Sequence, residues 1–175
     1  VPDGPAVSGT AVELLARWLN DGSGPLASLV GPGMARDLGV VRLPRQPRDL
    51  LEIRIEADLG AVPDQLLACV LGALVAASGG PSDTTAASIQ RAWAGERALS
   101  DQRLHYAAVF FGEALAAARG ELADAVEPPM LGGAEIRSAA AAVLTEPQAR
   151  TRAAWVGDGG PAARERLPEP VAPPQ

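Results

Sequence analysis

The first amphipathic run of the chain begins at Thr10, with Glu13 three residues later, the spacing of a capping box. Val12, Leu15, Ala16 and Leu19 then recur at helical spacing, and Leu14 and Trp18 widen the apolar face. Gly22, Gly24 and Pro25 end this helix, and a short second helix is predicted over residues 26–30 before the Gly31, Pro32, Gly33 break. The period then changes. Leu51, Ile53, Ile55 and Ala57 alternate with Glu52, Arg54 and Glu56, which predicts a strand with one face buried. Residues 39–43 are expected to pair with it across the Pro44 to Asp49 loop. Two strands alone are marginal, so this β-hairpin, near residues 39–57, must pack on helices or join strands of another chain.

Pro63 and Asp64 suit a helix start, since Pro is accommodated in the first turn and Asp complements the positive helix end. Residues 66–77 carry no charge, the pattern of a helix surrounded on all sides, and this helix is expected to be the centre of the core. Gly72, in its middle, costs about 1 kcal/mol relative to Ala in an exposed helix, so close approach of another helix is expected there. Ser82 or Asp83 caps a helix to about Ala94, with Ile89 and Trp93 on one face. Ser100 is expected to cap a longer helix reaching Val126, with Leu104, Ala108, Phe111, Leu115, Ala118 and Leu122 as its stripe. Helices over residues 134–144 and 145–155 complete the pattern. Trp18, Ile89, Trp93, Leu104, Phe111 and Leu115 are expected to surround the central helix.

The predicted fold is therefore mainly α with a minor β part: a helical bundle of about five to six helices and one short β-hairpin. Residues 1–9 are expected to be flexible, 10–156 to form a single helical domain, and 157–175, rich in Pro and Gly, to be disordered.

Composition supports helices. Hydrophobic residues make up 47% of the 175 and aromatics only 3%, so the core must be built from Ala, Leu and Val, which favour close helix contacts over sheets. All 15 basic residues are Arg, a bias that fits a GC-rich bacterial genome. A net charge of −6 disfavours nucleic-acid binding, which needs a basic footprint. The lone Cys69 precludes an internal disulfide and fits a reducing, cytoplasmic setting. No cationic segment followed by an apolar run opens the chain, so no signal peptide is expected. Its longest apolar run, 66–77, falls short of the roughly 20 residues that cross a bilayer, so no membrane partner is expected either.

Candidate chemistry is sparse. His105 is the single histidine, so a two-His metal site within one chain is impossible, and neither a metal nor a cofactor is expected. Asp101, four residues earlier, can orient or charge its imidazole as part of a general base or half of an intersubunit metal site, while the plain reading of the spacing is a surface pair in the first helical turn. Cys69 lies among Leu66, Leu67, Val70 and Ala73, a setting for a small buried hydrophobe rather than a nucleophile. Glu113, Glu121 and Asp124 lack the Glu-x-x-His motif of diiron bundles. Without Lys there is no phosphate-binding P-loop. Arg42, Arg45, Arg48 and Arg54 gather around the hairpin, where they would grip an acidic partner or a phosphate, or guard a sheet edge.

The expected function is that of a non-enzymatic protein-binding or accessory subunit, acting through helix faces and the Arg-bearing hairpin. Its partner would be another protein or a second copy in a homodimer. The alternatives are a small enzyme using His105 with Asp101 or Cys69, and a sensor of a small apolar ligand held by Val70, Leu74 and Phe111.

Overall fold

The computed structural model describes residues 7–43, 50–101, 112, 130–145, 152–157, 160–163 and 168–172. Among these are four α-helices and two antiparallel hairpins: α1 (Gly9–Leu19), β1 (Ala35–Leu43), β2 (Leu50–Ala57), α2 (Pro63–Ala76), α3 (Asp83–Asp101), α4 (Gly133–Leu144), β3 (Ala154–Gly157) and β4 (Gly160–Ala163). The fold is mainly α with a minor β part, but the described helices number four where five to six were expected. The helix expected over 100–126 lies outside the described residues beyond Asp101, apart from helical Gly112.

α1 starts two residues earlier than its capping pattern suggests. Ser8, in extended conformation, is the N-cap, and its hydroxyl accepts the Ala11 N–H at 3.1 Å. This start places Gly9, Ala11 and Val12 inside the buried surface of α1. Glu13 is consequently free of capping duty and instead pairs with Arg17 at 2.9 Å, one turn on. The predicted second helix is a single 3-10 turn, Ala27–Leu29, which buries Leu29.

The core has two parts, and α1 joins them. Leu15, Ala16 and Leu19 of α1 pack with Leu26, Leu29, Ala35 and Val40, with Leu66, Cys69, Val70, Ala73 and Leu74 of α2, and with Ala139, Ala140 and Leu144 of α4. Leu14 faces a smaller cluster with Ala86 and Ile89 of α3 and Ile136 of α4. The centre is thus α1, which borders β1, α3 and α4. α2 is one wall of the larger part, leaving Val75 at its edge 37% exposed. Ile89 and Trp93 pack on the α1–α4 side rather than around α2. Trp93 is only half-buried, and the guanidinium groups of Arg17 and Arg97 lie 6.0 and 5.5 Å from its ring centroid. Leu104, Phe111 and Leu115 lie outside the described residues.

α3 runs unbroken through Ser100, which is therefore no N-cap. Buried Gln90 donates from Nε2 to the Leu131 carbonyl at 2.7 Å and so fixes the approach to α4. Thr145 is the C-cap of α4, and its hydroxyl donates to the Ala141 carbonyl at 2.5 Å. Residues 146–151 of the helix expected over 145–155 lie outside the described residues, and Trp155 belongs to β3 rather than to that helix. Within the Pro- and Gly-rich terminal segment, the described residues beyond β3 are strand β4 and residues 168–172, which carry no regular secondary structure.

The second piece explains Gly72. The Val171 N–H donates to the Ala68 carbonyl of α2 at 2.9 Å, and a Cβ at Gly72 would collide with the Val171 carbonyl. Close approach is realised as predicted, but by a strap without regular secondary structure rather than by a helix. No single helix among the described residues is long and apolar enough to cross a membrane.

Two outcomes test this architecture. Leu15→Ala, at a fully buried position, is expected to lower stability by about 2–5 kcal/mol in urea unfolding, whereas Leu59→Ala, at an 84% exposed one, changes it by no more than about 0.5 kcal/mol. Gly72→Ala is expected to displace the strap, so that the Val171 amide exchanges with solvent at an unprotected rate while the α2 amides keep their protection.

Candidate functional site

The hairpin is built by a simple alternation. Opposite pairs run Leu38–Ile55, Gly39–Arg54, Val40–Ile53, Val41–Glu52, Arg42–Leu51 and Leu43–Leu50. Leu38 and Val40 with Leu51, Ile53 and Ile55 form the face that packs on the core. Val41, Glu52, Arg54 and Glu56 form the other face, where Arg54 bonds Glu52 at 2.7 Å, which raises the guanidinium pKa. Between Ala35 and Asp37 the register shifts by one residue, with Arg36 as the extra one. Arg36 then reaches both Glu56, at 3.7 Å, and Asp58, at 3.5 Å.

The two edges of the hairpin differ. Val40 turns its N–H away from β2 to the side-chain oxygen of Asn20, at 3.2 Å, so the residue that caps the C-terminus of α1 covers the β1 edge there. An antiparallel ladder alternates narrow and wide pairs, and this bond makes Val40–Ile53 a wide pair. Ile53, and with it Leu51 and Ile55, therefore directs its N–H and C=O away from β1. No third strand joins this sheet among the described residues, so those main-chain groups line the outer edge of β2.

The far end of the hairpin is tied by Asp58. Its carboxylate accepts the Gly33 N–H at 2.8 Å, while the Asp58 N–H donates to the Met34 carbonyl at 3.0 Å. Gly33 has φ +78° and Gly60 φ +88°, left-handed values that suit glycine on either side of the clasp. The Gly33 amide first, then the Leu59 amide and Arg36, hold the Asp58 carboxyl below its ordinary pKa. The clasp leaves Val30, Leu59 and Val62 exposed on the two turns it joins.

The residues singled out in the sequence separate. Arg42 lies on the inner side of the hairpin and is 7% exposed, whereas the Arg54 side chain is 71% exposed on the opposite face. The two do not form one cationic patch. Arg45, Arg48, His105 and Phe111 lie outside the described residues. Asp101 ends α3, and Cys69 is 4% exposed inside the larger core cluster with Val70 and Leu74. Among the described residues no group of three or more His, Cys, Asp and Glu side chains is placed to hold a metal ion. The pattern pointed to a hairpin edge that could join strands of another chain, but not to which of the two edges is open. The signal for the open edge was the choice of side chains on β2 together with Asn20, whose role depends on tertiary contact.

No protein-family model, curated protein or solved structure matches this chain.

A carboxyl with a lowered folded-state pKa stabilises the fold above its ordinary pKa of about 3.9, and that contribution disappears as pH falls through the folded value. Asp58→Asn is therefore expected to reduce the urea midpoint at neutral pH, and the gap from the parent is expected to close below about pH 4.

Proposed function

We propose that this chain is a non-enzymatic protein-binding subunit that docks its partner by strand addition along β2. The observation that carries this reading is the outward main-chain edge at Leu51, Ile53 and Ile55, in a sheet that has two strands among the described residues. Strand addition draws affinity from such main-chain groups and specificity from the alternating side chains. The edge is also held in place before any partner arrives, because Leu51, Ile53 and Ile55 pack on the core from below and α1 holds the far strand. Leu50 on β2, 46% exposed, supplies apolar contact at the edge.

The reading differs from an Arg-bearing hairpin in its working part. The buried Arg42 serves the inner side, and main-chain groups with Glu52, Arg54 and Glu56 make the docking face. Cys69, enclosed by leucine, valine and alanine side chains, has the surroundings of a packing residue.

Ile53→Pro removes the outward donor without touching the β1–β2 ladder, and Ile53→Ala removes only the side chain. Protein captured by the full-length chain, identified by cross-linking to β2, is expected to be lost with Ile53→Pro and kept with Ile53→Ala. Equal retention by both would overturn docking at this edge.

A further inference from the structure

We infer that the partner at the β2 edge is a second copy of this chain, paired antiparallel about a two-fold axis through Ile53 to give a four-stranded sheet. The inference rests on the strand-addition reading and names its occupant. In this register Ile53 faces its own copy, and Leu51 faces Ile55 of the other chain. All three are residues whose main-chain groups point outward, so each meets its counterpart as a narrow, doubly bonded pair. Their side chains continue the core-facing apolar row across the seam.

Charge selects this register. On the solvent face Glu52 lies opposite Arg54 of the second chain, and Arg54 opposite Glu52, two cross-strand pairs of opposite sign. A slip that brings Arg54 opposite its own copy also places Glu52 against Glu56. The slip in the other direction places Glu52 against Glu52. An in-register parallel pairing sets every charge against itself. A one-residue slip would turn the apolar row to the solvent face. Charges on an edge strand ordinarily discourage pairing, but the order Glu, Arg, Glu at alternate positions discourages the wrong registers and favours one. Both side chains of the pair are accessible from the solvent face, 35% for Glu52 and 71% for Arg54, and they already lie within 2.7 Å of each other in one chain.

The test is the mass in solution of the full chain by light scattering behind a sizing column, together with three variants. The parent is expected to be a dimer. Glu52→Arg alone sets two Arg pairs across the seam, and Arg54→Glu alone sets two Glu pairs. Each is expected to weaken self-association by about tenfold or more. Mixing these two variants restores opposite charges at both positions, so a one-to-one heterodimer is expected. The double variant, with both substitutions in one chain, is expected to dimerise with itself. Rescue on mixing also shows that each single variant is folded. A parent that is monomeric at every concentration, yet loses a different captured protein through Ile53→Pro, would overturn self-pairing and leave strand addition standing. A dimer indifferent to the charge reversals and to Ile53→Pro would overturn both.

Discussion

Burial of α1 on opposite sides is the constraint on which the rest of this structure depends. Eleven residues long, it inserts Leu14 into one cluster and Leu15 with Leu19 into the other. A helix this short is unstable in water by itself, so its order comes from packing. In return it supplies the surface on which β1, α3 and α4 settle. The two halves of the core meet at α1 and α4, with Trp18 and Leu131 packed against both. Its polar features serve the same end: Ser8 fixes where it starts, Arg17 ties it to Glu96 of α3 at 2.6 Å, and Asn20 ties it to β1.

Local pattern carried the element types well and the centre of the fold poorly. The alternation from Leu51 to Ala57 has period two with charges on one side, and it forms β2 with that side outward. The uncharged run after Pro63 forms α2, starting at the proline. Yet α2 is a wall rather than the hub, because an apolar helix made largely of Ala, Leu and Val records only that it is covered, not by what. The Ala-rich face of α4 and the strap at Val171 both cover it without a periodic signal of their own. Ser8 and Thr10 show the same limit at atomic scale. Both are capping residues, and the choice between them was made by which start buries Ala11 and Val12 in the larger structure.

The candidate site was legible in its composition and hidden in its geometry. Arg42 and Arg54 both stand in the hairpin sequence, but strand parity places them on opposite faces, so proximity in sequence does not become a patch. What decides the geometry of the edge is parity itself. Val40 bonds Asn20 outward, and through the ladder that single contact fixes which groups of β2 face away. Asn20 reads in sequence as a helix-ending residue, and nothing local shows that its amide oxygen also covers a strand edge.

The asymmetry between the two edges has a physical consequence for binding. A two-stranded hairpin in water is marginal, and a mobile one would lose conformational entropy on docking. Here the inner face is anchored by Leu38, Val40, Ile53 and Ile55, the β1 edge by Asn20, and the far end by the Asp58 clasp. Those anchors consume three sides of the hairpin and leave β2 as the side where further main-chain bonds can form. The same arrangement restrains aggregation, since the charges of Glu52, Arg54 and Glu56 stand along that side and oppose most ways of adding a strand. An edge that is anchored on three sides, short and charged in alternation favours one pairing register over others, and under the strand-addition proposal this preference follows from parity and charge order.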